Sequence, residues 1–289
     1  GVKYEYTITS HIHCNAFIGF MNIIKLIKVN KCIYRESTTP FSWYSGIRLL
    51  TFKMMYKLYR KPKVIICQTN RMKSELLINV PILSALNVQV IPNPVDYFNL
   101  KFKLDSISIK NEEFKFNQNE IVSIGRLVPE KGYEILLKAF NHLLNAKPNF
   151  ILRIIGSGPE NYRLQELAKQ MNIQDRVIFH GHSNNPFPYM KNATLCVVSS
   201  VMEGFPNVLL EKMCISRRVV STLCADGVDK IPGIYKCQVN DVNSLVRSII
   251  DALDSPYTIY SQNIRKMRKH VKSRSVGSYV DKVIESTSE

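Results

Sequence analysis

The 289-residue sequence lacks several features that would each define a class of protein. No Cys-x-x-Cys pair occurs among its seven cysteines, and some of them, such as Cys67 and Cys196, lie in apolar, strand-like runs. They indicate small buried side chains in a reducing cytosol, not a disulfide framework or a zinc site. No apolar run reaches the roughly 18 residues of a spanning helix, and no signal peptide is visible. We therefore expect a folded cytoplasmic protein.

Acidic residues are scarce. The chain has 23 Asp and Glu against 39 Lys and Arg, a formal net charge of +16. This surplus fits a nucleic-acid partner, a membrane surface or anionic substrate, or a bias of composition. No groove-reading or base-stacking motif accompanies the charge, so we expect no nucleic-acid partner.

Short β-branched runs alternate with longer helical patterns. The strand candidates include KVIICQT, EIVSIGR, FILRIIG, RVIFHG, TLCVVSS and RVVST. Apolar residues at helical spacing follow several of them, most clearly in 132–146. Apolar strands that alternate with helices predict an α/β fold with parallel sheets covered on both faces.

Composition divides the chain into four segments. Residues 1–96 are predicted to form one α/β domain, and 97–119, which are polar with little periodicity, a linker. Residues 120–257 are predicted to form a second α/β domain, and 258–289 a basic helical tail that packs back on the first. The chain opens without Met in a segment typical of a domain interior. We expect the first domain to lack roughly 80 residues and this chain to turn over weakly or not at all.

The stretch SIGRLVPEKGYE places two cations where a strand gives way to a helix. Arg126 offers a fork of donors, and Lys131 offers a point charge beside the amides of a helix start. Ligands of open α/β sheets bind at such carboxyl ends of strands. The pattern fits a diphosphate site or a solvated loop. The later stretch IGSGPE lacks the third glycine of a dinucleotide fingerprint and favours a tight turn.

The stretch EGFPNVLLE, residues 203–211, holds two carboxylates around the start of an apolar helix. Pro206 suits the first helical position, and the amides that follow it lie at the positive end of the helix dipole. Glu203 precedes the helix and Glu211 lies inside it. The two acids either contact parts of one ligand, or they are a helix-start carboxylate and a surface glutamate.

Taken in order, GRLVPEKG, GSGPE, VIFHGH, YMKNATLCVVSSVMEGFPNVLLEKM and VVST resemble the donor domain of family 4 retaining glycosyltransferases. A weaker resemblance covers 60–96. The resemblance as a whole implies the GT-B fold, which has two Rossmann-like domains, and the amino-terminal domain would be incomplete in this chain. It also implies transfer, with retention, from a nucleotide sugar to a saccharide or lipid-linked saccharide in surface polysaccharide or lipopolysaccharide biosynthesis. A UDP-sugar is favoured over GDP-mannose. A glycogen-synthase-like enzyme on a soluble glucan and a non-catalytic nucleotide-sugar-binding module stay open.

The resemblance implies roles for the motif residues. Arg126 and Lys131 would hold the donor diphosphate and stabilise the leaving charge, while Glu203 would contact the transferred sugar and Glu211 the ribose. Further donor contacts are implied for Gly204, Phe205, Asn207, Val208, Gly181 and His182. No cofactor is implied. The sequence lacks the Asp-x-Asp of the other large glycosyltransferase fold, so we expect no metal.

Two further features complete the predictions. Residues 41–63 mix aromatic side chains with six cations, and Ile47, Leu50, Met54 and Leu58 make a helical stripe. Both interfacial helices and core helices with a basic outer face have this pattern, and the resemblance favours peripheral contact with an anionic membrane on its inner face. The spacing of His11 and His13 predicts two side chains on one side of a strand, without a third metal ligand.

Overall fold

Hydrogen bonding joins the strands into two separate parallel sheets in the computed structural model, which describes residues 3–105 and 119–288. The described chain divides into two compact units. The first comprises the described residues of Gly1–Pro94 and Val276–Glu289, and the second those of Val95–Ser275.

Strands and helices alternate along most of the described chain. In chain order the elements are β1 (Lys3–Ser10), α1 (Ile12–Ile23), β2 (Lys28–Arg35), α2 (Gly46–Tyr56), β3 (Val64–Cys67), α3 (Asn70–Asn79), β4 (Val88–Val90), α4 (Tyr97–Asp105), β5 (Glu120–Ile124), α5 (Tyr133–Ala146), β6 (Ile151–Ile155), α6 (Asn161–Gln170), β7 (Val177–Gly181), α7 (Phe187–Asn192), β8 (Leu195–Val198), α8 (Asn207–Ile215), β9 (Val219–Thr222), β10 (Tyr235–Cys237), α9 (Val242–Leu253), α10 (Tyr257–Lys272) and α11 (Val276–Ser288).

The sheet of the first unit has the order β1-β2-β3-β4, with every neighbouring pair parallel. Successive side chains of a strand point to opposite faces, so β3 serves two cores. Ile65 and Cys67 pack in one core together with residues of α1, α2 and α3. Val64 and Ile66 pack in the other together with Val283 of α11. Helices α1 to α3 therefore form one layer, and α11 covers the opposite face.

The sheet of the second unit has the order β10-β9-β8-β5-β6-β7, also parallel throughout. Chain order runs outward from β5 in both directions, so it reverses between β5 and β8. Ile121 of β5 packs in the core that α5, α6 and α9 share. Val122, the next residue, packs in the core formed with α4, α7, α8 and α10. The predicted α/β fold with parallel sheets covered on both faces is confirmed.

The structure differs from the sequence prediction in the segment 97–119. Residues 97–105, assigned to the linker, form α4, and 106–118 lie outside the described residues. The buried Leu100 and the partly buried Tyr97 and Leu104 join a core of the second unit. Their spacing of three and four residues is helical, although lysines between them obscure it.

The predicted tail, 258–289, divides between the two units. Helix α10 buries Met267 and Val271 in a core of the second unit, whereas α11 belongs to the first. The strand predicted around His11 and His13 is also wrong beyond Ser10. His11 precedes α1 and His13 lies in its first turn, because Ile12 and Ala16 are buried four residues apart, as a helix requires.

Candidate functional site

The loops after β5 and β8 meet at the point where the strand order of the second sheet reverses. In open α/β sheets the crevice at such a reversal, outside the carboxyl ends of the strands, is where ligands bind. The first loop carries Arg126 and Lys131, and the second carries Glu203. The sheet topology therefore explains why two motifs more than seventy residues apart in sequence lie together.

An ion pair joins these two loops. Lys131 Nζ lies 2.8 Å from Glu203 Oε1, and the side chains are 22% and 15% exposed. The Ser200 hydroxyl donates a second hydrogen bond to Glu203 Oε1 at 2.6 Å. Both bonds fall on Oε1, and among the described residues none reaches Oε2. The carboxylate is thus oriented by two donors and keeps one oxygen available to a ligand.

Backbone contacts hold the lysine loop against its neighbours. Gly132 has φ +63°, and a Cβ there would lie 2.2 Å from the Ser199 carbonyl oxygen in the loop after β8. The Ser199 hydroxyl donates to the Lys131 carbonyl at 2.8 Å. Only glycine accommodates both the left-handed backbone and this approach. Gly132 therefore fixes Lys131 beside the second loop.

The glycine turn after β6 packs against the same loop. A Cβ on Gly156 would lie 1.9 Å from the Gly125 carbonyl oxygen. The tight turn predicted for IGSGPE is thereby explained, because its first glycine permits one backbone to approach another. The Gly156 amide also donates to the carbonyl of Gly181 at 2.8 Å, which links the predicted nucleobase loop to this edge of the sheet.

Helix α8 begins at Asn207. Pro206, which was predicted at the first helical position, is instead the residue that precedes the helix. No side chain caps the first turn at Pro206. The Phe205 ring is buried, and the guanidinium of Arg274 stacks on it at 4.8 Å from the ring centroid. Asn207 is exposed and Val208 half-buried. The helix start is therefore anchored by an aromatic side chain and presents its polar residue outward.

Lys212 is a buried cation that the sequence analysis missed. Its Nζ donates to the Val197 carbonyl, at the end of β8, at 2.6 Å. Burial lowers the pKa of Lys212 to about 8, and it lies close enough to Lys131, Glu203 and Glu211 for their charges to contribute to that pKa. It follows Leu209 by three residues, which places it on the buried face of the helix. That spacing was the available signal.

Both glutamates of EGFPNVLLE therefore belong to one electrostatic group with two lysines. Glu203 pairs with Lys131, and both Glu203 and Glu211 act on the buried ammonium of Lys212. Glu211 is half-buried, one turn into α8. The two positive and two negative formal charges of these side chains cancel. An incoming anion would therefore change how these charges are paired, instead of entering an empty positive pocket.

Three predicted site residues stand apart from this group. Arg126 is exposed at the start of the loop after β5. Gly181 ends β7 with φ +79°, and His182 is exposed with Nε2 3.1 Å from Asn184 Oδ1. The structure places them at the same edge of the second sheet as Lys131. Among the described residues, no hydrogen bond or ion pair joins the side chains of Arg126 and His182 to Lys131 or Glu203.

The described residues contain no group of three or more His, Cys, Asp and Glu side chains placed to hold a metal ion. Within 3–105 and 119–288, no helix has both the length and the apolar character needed to cross a bilayer.

The topology and the loops define a class. Two α/β units on parallel sheets, with charged loops at a strand-order reversal, are the architecture of GT-B glycosyltransferases. A UDP-forming α,α-trehalose-phosphate synthase from Burkholderia xenovorans has this fold. It superimposes with a TM-score of 0.79 at 13% identity, covering 98% of this chain and 73% of that one.

Sequence comparison gives the family. Residues 105–273, more than half of the chain, match the family model for glycosyl transferases group 1, and the chain belongs to this family. An uncharacterized glycosyltransferase of Methanocaldococcus jannaschii is 30% identical, covering 79% of this chain and 58% of that protein.

A second relative has a named activity. It is the N-acetylgalactosamine-N,N'-diacetylbacillosaminyl-diphospho-undecaprenol 4-alpha-N-acetylgalactosaminyltransferase of Campylobacter jejuni. That protein is 29% identical, covering 88% of this chain and 67% of the relative. Other curated relatives are named as glycosyltransferases of lipopolysaccharide or of diphosphoundecaprenol-linked saccharides. The chain spans about half to two thirds of the length of the first relatives.

Proposed function

We propose that the protein transfers a sugar, with retention, from a nucleotide-sugar donor to a saccharide or lipid-linked saccharide acceptor. The donor binds in the second unit at the edge formed by the loops after β5 and β8. The observation that carries the proposal is the Lys131–Glu203 ion pair at the strand-order reversal, in a chain of the group 1 glycosyltransferase family. The lipid-linked acceptor is supported by the names of the curated relatives.

Each residue then has a chemical task. Arg126 and Lys131 bind the diphosphate and stabilise the negative charge that develops on it as the sugar leaves. Glu203 accepts a hydrogen bond from a hydroxyl of the transferred sugar through Oε2. Glu211 accepts hydrogen bonds from the ribose hydroxyls. Because Lys131 is already held by Glu203, it needs little reorganisation when the diphosphate arrives.

The rest of the donor rests on the start of α8 and the loop after β7. Backbone amides at Gly204, Phe205, Asn207 and Val208 lie at the positive end of the helix dipole, which favours anionic and hydroxyl oxygens. Gly181 and His182 line the nucleobase side. The donor we favour is a UDP-sugar, with GDP-mannose second, and no metal or other cofactor takes part.

A thermal-shift panel of UDP-sugars, GDP-mannose and the free nucleotides tests donor binding. A ligand that binds only the folded state at about 100 times its Kd adds about 2.7 kcal/mol of stability and raises Tm. We expect the largest rise with a UDP-sugar and a clearly smaller rise in Lys131→Ala. Wild type that responds to no nucleotide would contradict the proposal. Glu166→Ala, on the solvated face of α6, is the matched control.

Transfer is tested with lipid-linked and soluble acceptors in the same assay. We expect product from the lipid-linked saccharide, with the donor's anomeric configuration kept, as read by nuclear magnetic resonance. Product only from a soluble glucan would favour a glycogen-synthase-like activity. Donor binding without transfer or hydrolysis in the full-length protein would favour a non-catalytic binding module.

A further inference from the structure

Lys212 holds an ammonium group inside the second unit, on the buried face of α8. The residue is 0% exposed, and its Nζ donates one hydrogen bond, to the Val197 carbonyl, at 2.6 Å. An ammonium has three donors. Within 3–105 and 119–288, Lys212 makes no second hydrogen bond and no ion pair. Its one partner is a neutral carbonyl, so the buried charge has no direct counter-charge there.

The hydrogen bond to Val197 does not by itself account for a lysine at this position. The Val197 carbonyl also accepts a hydrogen bond from the Ser123 hydroxyl at 3.1 Å, so it would keep a partner without Lys212. A buried charge without a counter-charge lowers stability. An apolar side chain of similar length, such as that of methionine, would fill the same space without burying a charge. Packing and hydrogen bonding therefore do not require an ammonium here.

The ammonium lies close to the two loops that carry the Lys131–Glu203 pair. Val197 is the last residue but one of β8, and Lys212 follows the first residue of α8 by five positions. The titratable groups that act on it come from every side: Lys131 from the loop after β5, Cys196 from β8, Glu203 from the loop after β8, and Glu211 from α8 itself. Lys212 is therefore within electrostatic range of the proposed diphosphate position beside Lys131.

The charge of Lys212 is sensitive to such a neighbour. Burial lowers the pKa of Lys212 to about 8, so about half of the molecules without donor hold a neutral amine at pH 8. Burial raises the pKa of the Cys196 thiol, which leaves that neighbour uncharged. An anion near a buried amine favours its protonated form, and by reciprocity the protonated form favours the anion. A diphosphate that binds beside Lys131 should therefore bring a proton to Lys212.

We propose that Lys212 is a third cation of the donor site, which attracts the diphosphate from within the fold and takes up a proton as the donor binds. The proton comes from the solvent and binds to the nitrogen lone pair, and no bond of the donor changes. Lys212 does not touch the donor. Its charge is surrounded by protein, where water and salt screen it less than they screen Arg126 at the surface. The inference rests on the proposed function, because the anion is the donor diphosphate.

Titration calorimetry in two buffers of different ionisation enthalpy, Tris and HEPES, measures the proton uptake. UDP-glucose is the first probe, because its diphosphate is esterified at both ends and does not titrate between pH 7 and pH 9. If binding raises the pKa of Lys212 from about 8 to about 9, wild type should take up about 0.4 proton per donor at pH 8 and less than about 0.1 at pH 7. Lys212→Met should lose this uptake.

The affinity for UDP-glucose should depend on the same charge. Between pH 7 and pH 9 the affinity of wild type should fall about fivefold, because Lys212 of the free protein loses its proton. Lys212→Met should bind about tenfold more weakly than wild type at pH 7 and should lack this fall, so that the two affinities converge above pH 9. Lys212→Gln keeps a hydrogen-bond donor for the Val197 carbonyl but carries no charge, and it should behave like Lys212→Met.

Lys191→Met is the matched control, because it removes an exposed lysine of the same unit, at the end of α7. It should match wild type in affinity, in proton uptake and in the dependence of affinity on pH. Urea unfolding of each variant verifies that the fold is kept.

The outcomes distinguish this inference from the proposed function. Wild type that binds no nucleotide sugar would contradict the proposed function and the role of Lys212 together. Wild type that binds a nucleotide sugar without proton uptake, and equally well at pH 7 and pH 9, would overturn the role of Lys212 alone. Wild-type affinity in Lys212→Gln would also overturn it, since the hydrogen bond would then be sufficient.

Discussion

Glu36 in the first unit and Glu203 in the second both follow a strand of a parallel sheet, yet their surroundings differ. Glu36 is 1% exposed and accepts hydrogen bonds from Asn15, Tyr56 and Tyr59, none of which carries a charge. Glu203 is 15% exposed on its side chain and is held by one cation and one hydroxyl. Burial raises the pKa of Glu36.

The difference separates a carboxylate that joins elements of the fold from the carboxylate that we propose to bind the donor. Both oxygens of Glu36 are taken by donors from α1, α2 and the segment after α2, so it ties this layer to β2. A ligand could reach it only by disrupting that layer. Glu203 lies in a loop, keeps one oxygen available and has a charged partner that a diphosphate can share. Exposure and the charge of the donors, more than position at a strand end, distinguish the two roles.

Glu36→Ala should give the largest effect on stability. It leaves the hydroxyls of Tyr56 and Tyr59 buried without their acceptor, at about 1–3 kcal/mol each, and opens a cavity. We expect the free energy of unfolding to fall by about 3–5 kcal/mol, measured in urea. Glu203→Ala, which removes a partly exposed group, should cost less than about 1 kcal/mol. Equal losses of unfolding free energy in the two variants would show that the two carboxylates do not differ in their contribution to the fold.

The pH dependence of Glu36 gives that comparison a second readout. Because its folded pKa is raised, its stabilising contribution is full below the usual carboxyl pKa and is lost as the pH rises through the folded value. Glu36→Gln keeps the shape and should abolish this loss. A variant whose stability falls with pH as steeply as that of wild type would contradict the assignment.

Lys131→Ala should weaken nucleotide-sugar binding about 10- to 100-fold. A hydrogen bond to a charged group contributes about 1.5–3 kcal/mol, and each 1.4 kcal/mol is tenfold in affinity. The double variant Lys131→Ala/Glu203→Ala should lose less than the sum of the single losses, because the two side chains are in contact. Titration calorimetry with the donor identified by the thermal-shift panel measures all three. Additive losses would argue against one shared site.

Lys212→Met should stabilise the second unit. Burial lowers the Lys212 pKa from 10.5 to about 8, so the unfolded chain binds the proton more tightly than the folded protein does. Burying the charged Lys212 therefore lowers the free energy of unfolding. This loss is present in full below about pH 8, amounts to about 3 kcal/mol, and diminishes as the pH rises toward 10.5. Losing the hydrogen bond to Val197 offsets about 1 kcal/mol.

We therefore expect the Lys212→Met variant to gain about 2 kcal/mol at pH 7 in urea unfolding and to lose the rise in stability that wild type shows above pH 8. A variant no more stable than wild type at pH 7 would show that the ammonium is satisfied where it lies. In that case the balance between the two glutamates and the two lysines would need another explanation.

The sequence allowed some features of the two units to be predicted but not others. Apolar strands and helical spacing were sufficient for both parallel sheets, and the motifs placed Lys131 and Glu203 in the correct loops. Their contact could not be predicted, because it depends on β5 and β8 being neighbours in the sheet. Ser200 was missed although its partner, Glu203, lies only three residues further along the same loop. Lys212 was missed because its partner, the Val197 carbonyl, belongs to another element, β8. The burial of Glu36 could not be predicted, because it depends on where Tyr56 and Tyr59 lie in the folded chain.

Local patterns misled where two signals overlapped. Lysines hid the helical spacing of Tyr97, Leu100 and Leu104, so α4 was assigned to a linker. The alternation in SHIHCN suggested a strand, whereas burial of Ile12 and Ala16 places His13 in a helix. The helical spacing of α2 was visible in the sequence, but α1 lay in a segment where no helix was predicted.

The most direct test of the donor site is the affinity for the free nucleotide, measured by calorimetry on wild type, Glu211→Ala, Glu203→Ala and the control Glu166→Ala. UDP is the first nucleotide to use. If Glu211 holds the ribose, Glu211→Ala should weaken UDP binding about tenfold, about 1.4 kcal/mol. Glu203→Ala should leave UDP affinity nearly unchanged and weaken only the UDP-sugar. Equal UDP affinity in wild type and Glu211→Ala, or equal losses in Glu211→Ala and Glu166→Ala, would contradict the account.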